Sequence, residues 1–514
     1  MLKNNFLIEK QQTLFILFLI CILGLGLRLV FGDRVPPSLN WDEVSLGYNA
    51  YSLFKTGRDE WGIVLPNIFR AYGDYKLPVY VYMAVASPAV RLPSLAAGVG
   101  LIIFAFALGR KLFNPFVGQV TALLVAISPW TLFLSRIALE ANVGAFFIVS
   151  GLYYLLSRKY FRAILLLGLS VWTYNSARIF IPLFLLFYLT FFKYFRKLSI
   201  INYLLLTVFL LPMFWQLVNP VGQARFQWLT LLDEGAVSQI NQLQQRPGGR
   251  LLYNKATYFI GQFGKNYVSY LSPRFLFFTG GSHYQFSVPG QGLIYWTMLP
   301  FFVIGLVYLI KRRSWLIIWL LLAPIAGSIT RDSPHVLRAV VMLPLPMLIS
   351  AVGVDWVSRK RRTPIVVGGL LLVLALQLVS YLGQARFYSE NYSWAWQYGY
   401  KQAVGYIKSQ YNNYDQIIFT KRYGEPHEFV AYYWPWDPAD FAKNKVWDYH
   451  ANWYWVNGLA KIKFVNDWEM PDYVADLSPG KYLVVSSGDN EPAGREVYRV
   501  NFLDNKPAFI IKEL

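Results

Sequence analysis

TLFILFLICILGLGLRLVF, residues Thr13 to Phe31, holds a single charge, Arg28, and is followed shortly by Asn40-Trp41-Asp42-Glu43. As a helix rising about 1.5 Å per residue, this run is long enough to cross a hydrocarbon core of roughly 30 Å. Asp42 and Glu43 then fall where bilayer meets water. Nearby low dielectric disfavours the charged form of a carboxylate, which suits such a group to accepting a proton. The pair is read as candidate catalytic acids at a membrane surface, against the plainer alternative of two solvated loop carboxylates.

The composition bounds the class. Of the residues, 55% are hydrophobic, 18% aromatic and only 15% charged, with a mean hydropathy of +0.35. These values exclude an ordinary soluble domain and give a polytopic α-helical membrane protein. The formal charge of +20 could suggest nucleic acid. The basic residues, however, sit in short clusters between apolar runs, as the positive-inside rule requires, so no nucleic-acid partner is expected. The one cysteine, Cys21, lies inside the first run, which rules out an intrachain disulfide and a Cys-based metal site. Lys3 and Lys10 precede that run and no Ala-x-Ala pattern follows it, so the first span is expected to stay uncleaved.

Basic clusters at Arg110-Lys111, Arg158-Lys159-Arg162, Lys193-Arg196-Lys197, Lys311-Arg312-Arg313 and Arg359-Lys360-Arg361-Arg362 mark every second boundary. Those loops are expected to be cytoplasmic. The spans so delimited are Thr13–Phe31, Pro93–Leu112, Val117–Trp130, Val143–Leu156, Ala163–Tyr174, Ile179–Phe192, Leu198–Val218, Gly292–Ile310, Trp315–Ile329, Ala339–Trp356 and Ile365–Leu382, about eleven in all. Residues 1–383 thus form a membrane domain with two long outer loops, 32–91 and 219–291. Within the first, Tyr80 to Pro88 is apolar but too short to span and is expected to lie along the interface. The second reads as a lid, helix-like around Ser238–Gln245 and broken by Arg246-Pro247-Gly248-Gly249 and Gly280-Gly281. Residues 384–514 change character: strand-like runs at Gln416–Thr420 and Lys481–Ser486 alternate with a helix-like Tyr400–Gln410, which predicts a small extracytoplasmic α/β domain. Its aromatic run Tyr432-Tyr433-Trp434-Pro435-Trp436 fits a core, a membrane-facing belt or sugar stacking. With the N-terminus inside, Asp42, Glu43 and the C-terminal domain are outside a cytoplasmic membrane.

Several cations fall on the outer side near span ends: Lys76, Arg91, Arg136, Arg178, Arg331, His335 and Arg338. A charge at membrane depth needs a partner, and an anionic lipid headgroup is the natural one. The alternative is internal pairing, Arg136 with Glu140 or Arg331 with Asp332. Glu140, a second acid at an outer span end, could orient an acceptor or pair with a cation. His335 and Arg338 follow Pro334 at a spacing that would place them on one face of a helix starting there. The chain has no Gly-rich phosphate loop ending in Lys-Ser/Thr, no His-Glu-x-x-His and no Asp-x-Asp, so neither nucleotide-driven transport, zinc proteolysis nor the usual metal signature of sugar transferases is supported.

Trp41-Asp42-Glu43, then Asp74-Tyr75-Lys76-Leu77-Pro78, then Val90-Arg91-Leu92-Pro93-Ser94-Leu95 resemble the membrane glycosyltransferases of the C superfamily, in their protein O-mannosyltransferase and aminoarabinose transferase branch. Ser128-Pro129-Trp130 with Ser135-Arg136 and Glu140, Tyr270-Leu271-Ser272-Pro273 with Phe275-Leu276-Phe277, and His335-x-x-Arg338 with Pro344 extend the resemblance over nearly all the spans. It implies an inverting transferase of the cell envelope that takes a hexose or pentose from a polyprenyl-phosphate donor and passes it to a lipid, glycan or protein acceptor. Asp42 matches the family's catalytic acid, with Glu43 beside it. Lys76, Arg91, Arg178, His335 and Arg338 are the candidates for the donor phosphate, and no metal or other cofactor is expected. The chain departs from the family in having Lys76-Leu77-Pro78 where relatives have Lys-Pro-Pro, and in a shorter segment before Arg91, which implies a shortened juxtamembrane helix. Two alternatives remain: an oligosaccharyltransferase, whose Trp-Trp-Asp-Tyr-Gly motif Trp447-Asp448-Tyr449 partly echoes, and a non-enzymatic sugar-lipid flippase or transporter.

Overall fold

The computed structural model describes residues 2–73, 75–191, 198–219, 223, 229–360 and 363–514. Asp74, the cluster Lys193-Arg196-Lys197, Arg361-Arg362 and part of the loop 219–291 lie outside the described residues. The chain divides into two compact units, Met1–Val30 with Ser94–Gly383, and Phe31–Pro93 with Gln384–Leu514.

The first unit is helical. Each of the eleven apolar runs forms helix over most of its described length. They include α1 (Leu2–Leu29), then, after α2 and α3 of the second unit, α4 (Leu92–Leu112), α5 (Pro115–Ile127), α6 (Pro129–Leu134), α7 (Glu140–Leu156), α8 (Tyr160–Val171), α9 (Asn175–Phe191) and α10 (Ile200–Val218). After α11 (Glu234–Leu243) and α12 (Lys255–Leu271) come α13 (Leu299–Lys311), α14 (Leu316–Leu322), α15 (Leu345–Lys360) and α16 (Thr363–Asn391). Among the described residues, Glu9–Leu29, Leu92–Leu112, Ile200–Val218 and Val367–Asn391 are long and apolar enough to cross a membrane, whereas the other apolar helices are shorter. The sequence expectation of continuous spans differs here because prolines interrupt them: Pro129 starts α6, Pro324 follows α14, and Pro344 separates a 3-10 turn at Arg338–Met342 from α15.

Ile200, Leu204, Val208, Leu211 and Trp215 form an exposed stripe at helical spacing along α10, and Leu372, Leu376 and Val379 do so on α16. Such stripes face hydrocarbon, so this unit is an integral membrane body. Inside it, small residues permit close helix contact. A Cβ at Gly305 of α13 would lie 1.9 Å from the Ile349 carbonyl oxygen of α15, and one at Gly353 equally close to that of Phe301. The two backbones touch where lipid supplies no hydrophobic drive and packing must hold the pair.

The second unit joins α2 (Trp41–Thr56), β1 (Phe69–Arg70), β2 (Tyr75–Lys76) and α3 (Pro78–Val85) to the C-terminal segment. That segment contains α17 (Tyr400–Gln410), β3 (Gln416–Thr420), α18 (Pro426–Tyr433), α19 (Pro438–Asn444), β4 (Lys445–His450), β5 (Trp453–Leu459), β6 (Ile462–Val465), α20 (Met470–Ala475), β7 (Tyr482–Ser487), β8 (Arg495–Asn501) and β9 (Pro507–Glu513). The sheet order is β4-β5-β6-β3-β7-β9-β8, with β3 parallel to both neighbours and the remaining pairs antiparallel. Central β3, read as Gln416–Thr420 from its apolar run, is buried along most of its length, as a parallel strand covered on both faces should be. β4 is a sheet edge.

Residues 32–91, on sequence an outer loop of the membrane domain, contribute to this unit's core. Val44 and Tyr48 of α2 pack with Tyr400, Val404, Phe419, Phe429 and Phe441 in one buried cluster. The Tyr48 hydroxyl donates to the Trp436 carbonyl at 3.1 Å. Tyr432, Tyr433, Trp434 and Trp436 pack around the same cluster, which assigns that aromatic run to the core. The segment expected as an interfacial helix from Tyr80 to Pro88 is the shorter α3, with Tyr80, Val81 and Ala84 buried.

Candidate active site

Asn40-Trp41-Asp42-Glu43 forms a capping box. The Asn40 side-chain oxygen accepts the Glu43 N–H at 3.0 Å, and Glu43 Oε2 accepts the Asn40 N–H at 3.2 Å. Two orphan donors of the first turn are thereby satisfied, and Asp42 is fixed at the second helical position, where the helix dipole favours a carboxylate. Trp41 locks the entry. Its N–H donates to Gln397 Oε1 at 2.8 Å, its carbonyl accepts the Tyr72 hydroxyl at 2.9 Å, and its ring lies against Gly424. At Gly424, with φ +113°, a Cβ would stand 2.2 Å from that ring.

The two carboxylates have separate fates. Asp42 Oδ1 lies 2.6 Å from Lys76 Nζ, and the Asp42 side chain keeps 22% of its exposure. Glu43 has none. Arg91 grips it with Nε at 2.7 Å and Nη2 at 2.8 Å, and Nη2 also donates to the Ser38 carbonyl at 2.6 Å. Both Glu43 oxygens are therefore committed to the fold, and Arg91, expected on sequence at a donor phosphate, is the fork that holds them. Glu43 is a positioning residue for the first turn of α2. The Asn-x-x-Glu spacing is itself a capping-box signature, so this role had a sequence signal. Lys76 reaches Asp42 from β2, whose pairing with β1 sets Lys76 opposite Phe69.

The other candidates lie in the first unit. Arg178 and Arg338 line one largely apolar cavity of about 130 Å³ with Tyr174, Ser176, Leu217 and Thr330. Arg178 donates to the Val171 carbonyl at 3.1 Å and to Gln216 Oε1 at 2.5 Å, and sits 5.4 Å from the Trp172 ring centre. Among the described residues it has no carboxylate within ion-pair distance. Arg338 donates to Thr330 Oγ1 at 2.7 Å and to the Asp332 carbonyl at 2.6 Å, with the Asp332 carboxylate at 3.8 Å. The helical turn begins at Arg338 and not at His335, so the shared first turn expected for these two is not formed. The cis Ser333-Pro334 bond precedes an irregular stretch in which the His335 N–H donates to the Tyr270 hydroxyl at 3.1 Å. Arg331 pairs with Asp233 at 3.3 Å. Arg136 is buried and donates to the carbonyls of Leu27 and Val30, satisfying the C-terminal end of α1. Glu140 opens α7 as its first residue.

Sequence reasoning missed a buried polar cluster in the second unit. Glu60, Glu425, His427, Glu428 and Lys445 are each at most 7% exposed. Glu60 accepts from Asn49 Nδ2 at 2.9 Å, its carbonyl accepts from Lys445 Nζ at 2.7 Å, and Lys445 lies 3.4 Å from the Trp61 ring centre. Glu425 accepts from Trp453 Nε1 at 2.8 Å. Burial pushes the Glu425 carboxyl up to about 7 and Glu428 well above the carboxylate range, the latter aided by the adjacent Glu60 charge. Burial likewise brings Lys445 down to about 8 against the opposing pull of Glu60 and Glu428. His427 lies 3.5 Å from Glu425 and 3.7 Å from Glu428, but burial and the lysine charges hold it neutral, so these contacts are not ion pairs. Residues so distant in sequence leave no local motif.

Solved structures similar to this chain include an archaeal oligosaccharyltransferase and the transferase ArnT. The apo oligosaccharyltransferase of Archaeoglobus fulgidus matches with a TM-score of 0.51 at 13% identity, over 94% of this chain and 70% of that one. The same enzyme tethered to an acceptor peptide gives 0.50 at 16% identity, over 82% and 63%. ArnT from Cupriavidus metallidurans bound to undecaprenyl phosphate gives 0.48 at 12% identity, over 96% and 97%. In two of the archaeal matches this chain spans 58% and 63% of the other's length. No protein-family model and no curated protein matches the sequence. The likeness is one of fold.

Proposed function

We propose that this chain is an inverting membrane glycosyltransferase that moves a sugar from a polyprenyl-phosphate carrier to an acceptor hydroxyl on the extracytoplasmic side. The observation that carries this reading is the Asp42–Lys76 pair, a partly exposed carboxylate on a locked helix turn with one cation at 2.6 Å, beside a Glu43 that is wholly consumed by the fold. Asp42 takes the acceptor proton as the acceptor oxygen bonds the anomeric carbon. The bond from that carbon to the phosphate oxygen breaks, and its electron pair leaves with the phosphate. Negative charge grows there, so a cation that can turn from Asp42 to the phosphate stabilises the transition state more than the ground state. A phosphate is already a good leaving group, and one essential carboxylate suffices. Arg178 and Arg338, whose cavity is apolar with guanidinium groups in its wall, suit a lipid phosphate.

Outside the cytoplasm nucleotide sugars are absent, which favours a lipid-linked donor. Membranes incubated with radiolabelled polyprenyl-phosphate sugars should move label into an acceptor fraction, and Asp42→Asn should stop it. Continued movement of the sugar lipid across the bilayer with no transfer by the wild type would favour a flippase. An oligosaccharyltransferase is the second reading, favoured by the fold likeness to the archaeal enzyme.

A further inference from the structure

Rings run without interruption from the turn that holds Asp42 to the exposed tip of the β4–β5 hairpin. Trp41 and Tyr72 have centroids 6.0 Å apart, Tyr72 and Trp453 are stacked at 5.8 Å, Trp453 and Trp455 are 5.9 Å apart, and Trp455 and His450 are stacked at 5.4 Å. Trp453 lies so close over Gly73 that a Cβ there would meet its ring at 2.4 Å, and the Tyr454 N–H donates to the Tyr72 carbonyl at 2.9 Å. The hairpin tip is therefore seated on the segment that leads into Lys76.

Trp41 packs against the unit's core and Tyr72 is buried, but core packing does not account for the rings at the hairpin end. The buried cluster of this unit takes Val456 and Leu459 from β5 but neither Trp453 nor Trp455, which are half-buried. Along edge strand β4 every residue from Val446 to His450 is exposed. We propose that the hairpin end of this track, Trp453, Trp455 and His450, is a carbohydrate-binding site, and that the acceptor delivered to Asp42 is accordingly a glycan.

The chemistry matches that ligand. A pyranose presents an apolar C–H face to an aromatic ring and hydroxyls around its rim, so it needs flat rings flanked by donors and acceptors of both signs. Asp448 pairs across the strands with Trp455 and lies 3.3 Å from His450, and the Lys421 ammonium sits 5.6 Å from the Trp455 ring centre. Exposed Asp448 disfavours an anionic lipid surface. Lys445, the hairpin's one Lys or Arg, is buried away from it. A membrane belt would instead carry exposed Lys or Arg beside its aromatic residues. The acceptor assignment rests on the proposed transfer at Asp42, whereas the binding site itself does not.

The experiment uses the full chain in detergent, titrated with maltohexaose, mannohexaose and chitohexaose while tryptophan fluorescence is followed. At least one should bind. Trp455→Ala should weaken that binding about tenfold while Trp455→Tyr, which keeps a ring, stays within a few-fold of wild type. An unchanged melting temperature in Trp455→Tyr guards against misfolding. In transfer assays Trp455→Ala should raise the acceptor KM and leave kcat and donor KM near wild type. If none of the three sugars binds, or Trp455→Ala binds as wild type does, the proposal is overturned. Trp455→Ala losing affinity for phosphatidylglycerol vesicles with sugar binding untouched would overturn it in favour of a membrane belt. Asp42→Asn separates the two readings: sugar binding should persist in it, and persisting transfer would remove the catalytic assignment alone.

Discussion

At the scale of single residues the sharpest contrast is between Asp42 and Glu43, neighbours that the sequence presents as one acidic pair. Asp42→Asn keeps size and most hydrogen bonding but removes the base, so transfer should fall by roughly 10²–10⁴-fold with little change in donor binding. Glu43→Gln should act chiefly on stability. It preserves an acceptor for the Asn40 N–H but strips the charge from a buried ion pair, and such losses cost on the order of 3–5 kcal/mol when fully buried. Arg91 retains 21% exposure, which places the expected loss toward the lower end. Thermal melting checks this, and adding Arg91→Gln to Glu43→Gln should cost less than the two single changes summed. A Glu43→Gln protein with wild-type melting and no transfer would reverse the two roles. Lys76→Ala should weaken donor binding and turnover together, since its charge meets phosphate in both states. Cationic side chains in the metal's place also predict that excess chelator leaves turnover nearly intact. A complete loss restored by magnesium would favour the oligosaccharyltransferase reading.

At the scale of elements, helix α2 is the piece through which the candidate base and the α/β unit depend on one another, and Asn49 in its middle meets the buried cluster of Glu60, Glu425, Glu428 and Lys445. Each member of that cluster makes the unit pH-sensitive with its own sign. Glu425 has an ordinary value of 4.5 when unfolded and about 7 when folded, so between these pH values the folded state binds more protons. Stability contributed by this group therefore falls as pH rises through that window. Lys445 acts oppositely: at about 8 folded against 10.5 unfolded, it makes stability rise between those values. His427, held neutral by burial, opposes this over part of the same window, so the test is a difference: from pH 5 to pH 7 the melting temperature of Glu425→Gln, followed by tryptophan fluorescence of the full chain, should rise relative to that of wild type. A Glu425→Gln profile parallel to wild type would show that other groups set the pH dependence. The cluster also marks what the sequence could convey. Local pattern sufficed for β3, α17 and the apolar helices, because alternation and run length are read within one element. It also contained the Asn40-x-x-Glu43 capping signature. The Arg91 fork, the Glu60–Lys445 contact and the packing of Val44 and Tyr48 among C-terminal aromatics join residues tens to hundreds of positions apart, and no periodicity records which distant partner an isolated charge will meet. Prolines at 129, 324 and 344 broke runs that hydropathy alone reads as continuous.

At the scale of the whole molecule, the second unit restricts topology. It is built from residues 31–93 and 384–514, on either side of the membrane body in sequence, so both segments must lie on one side of the bilayer. The chain between them must then cross an even number of times. Ten of the eleven apolar runs fall in that interval, an even count, which agrees with the expectation from the sequence of a cytoplasmic N-terminus and a first crossing by α1. The basic clusters at alternate boundaries are the ground for proposing that this side is outside. A membrane-impermeant thiol reagent applied to intact cells tests the scheme, with Cys21 replaced by serine to remove background. A cysteine introduced at exposed Ser409, on α17, should be labelled, and so should one at exposed Lys55, on α2, because both belong to the one unit. A cysteine at Ser157, between Leu156 and the basic residues Arg158-Lys159, should be protected until the cells are permeabilised. Labelling at 157 with protection at 409 and 55 would invert the orientation. Labelling at only one of 409 and 55 would break the even-crossing argument itself, since one folded unit cannot have its two segments on opposite sides of a membrane.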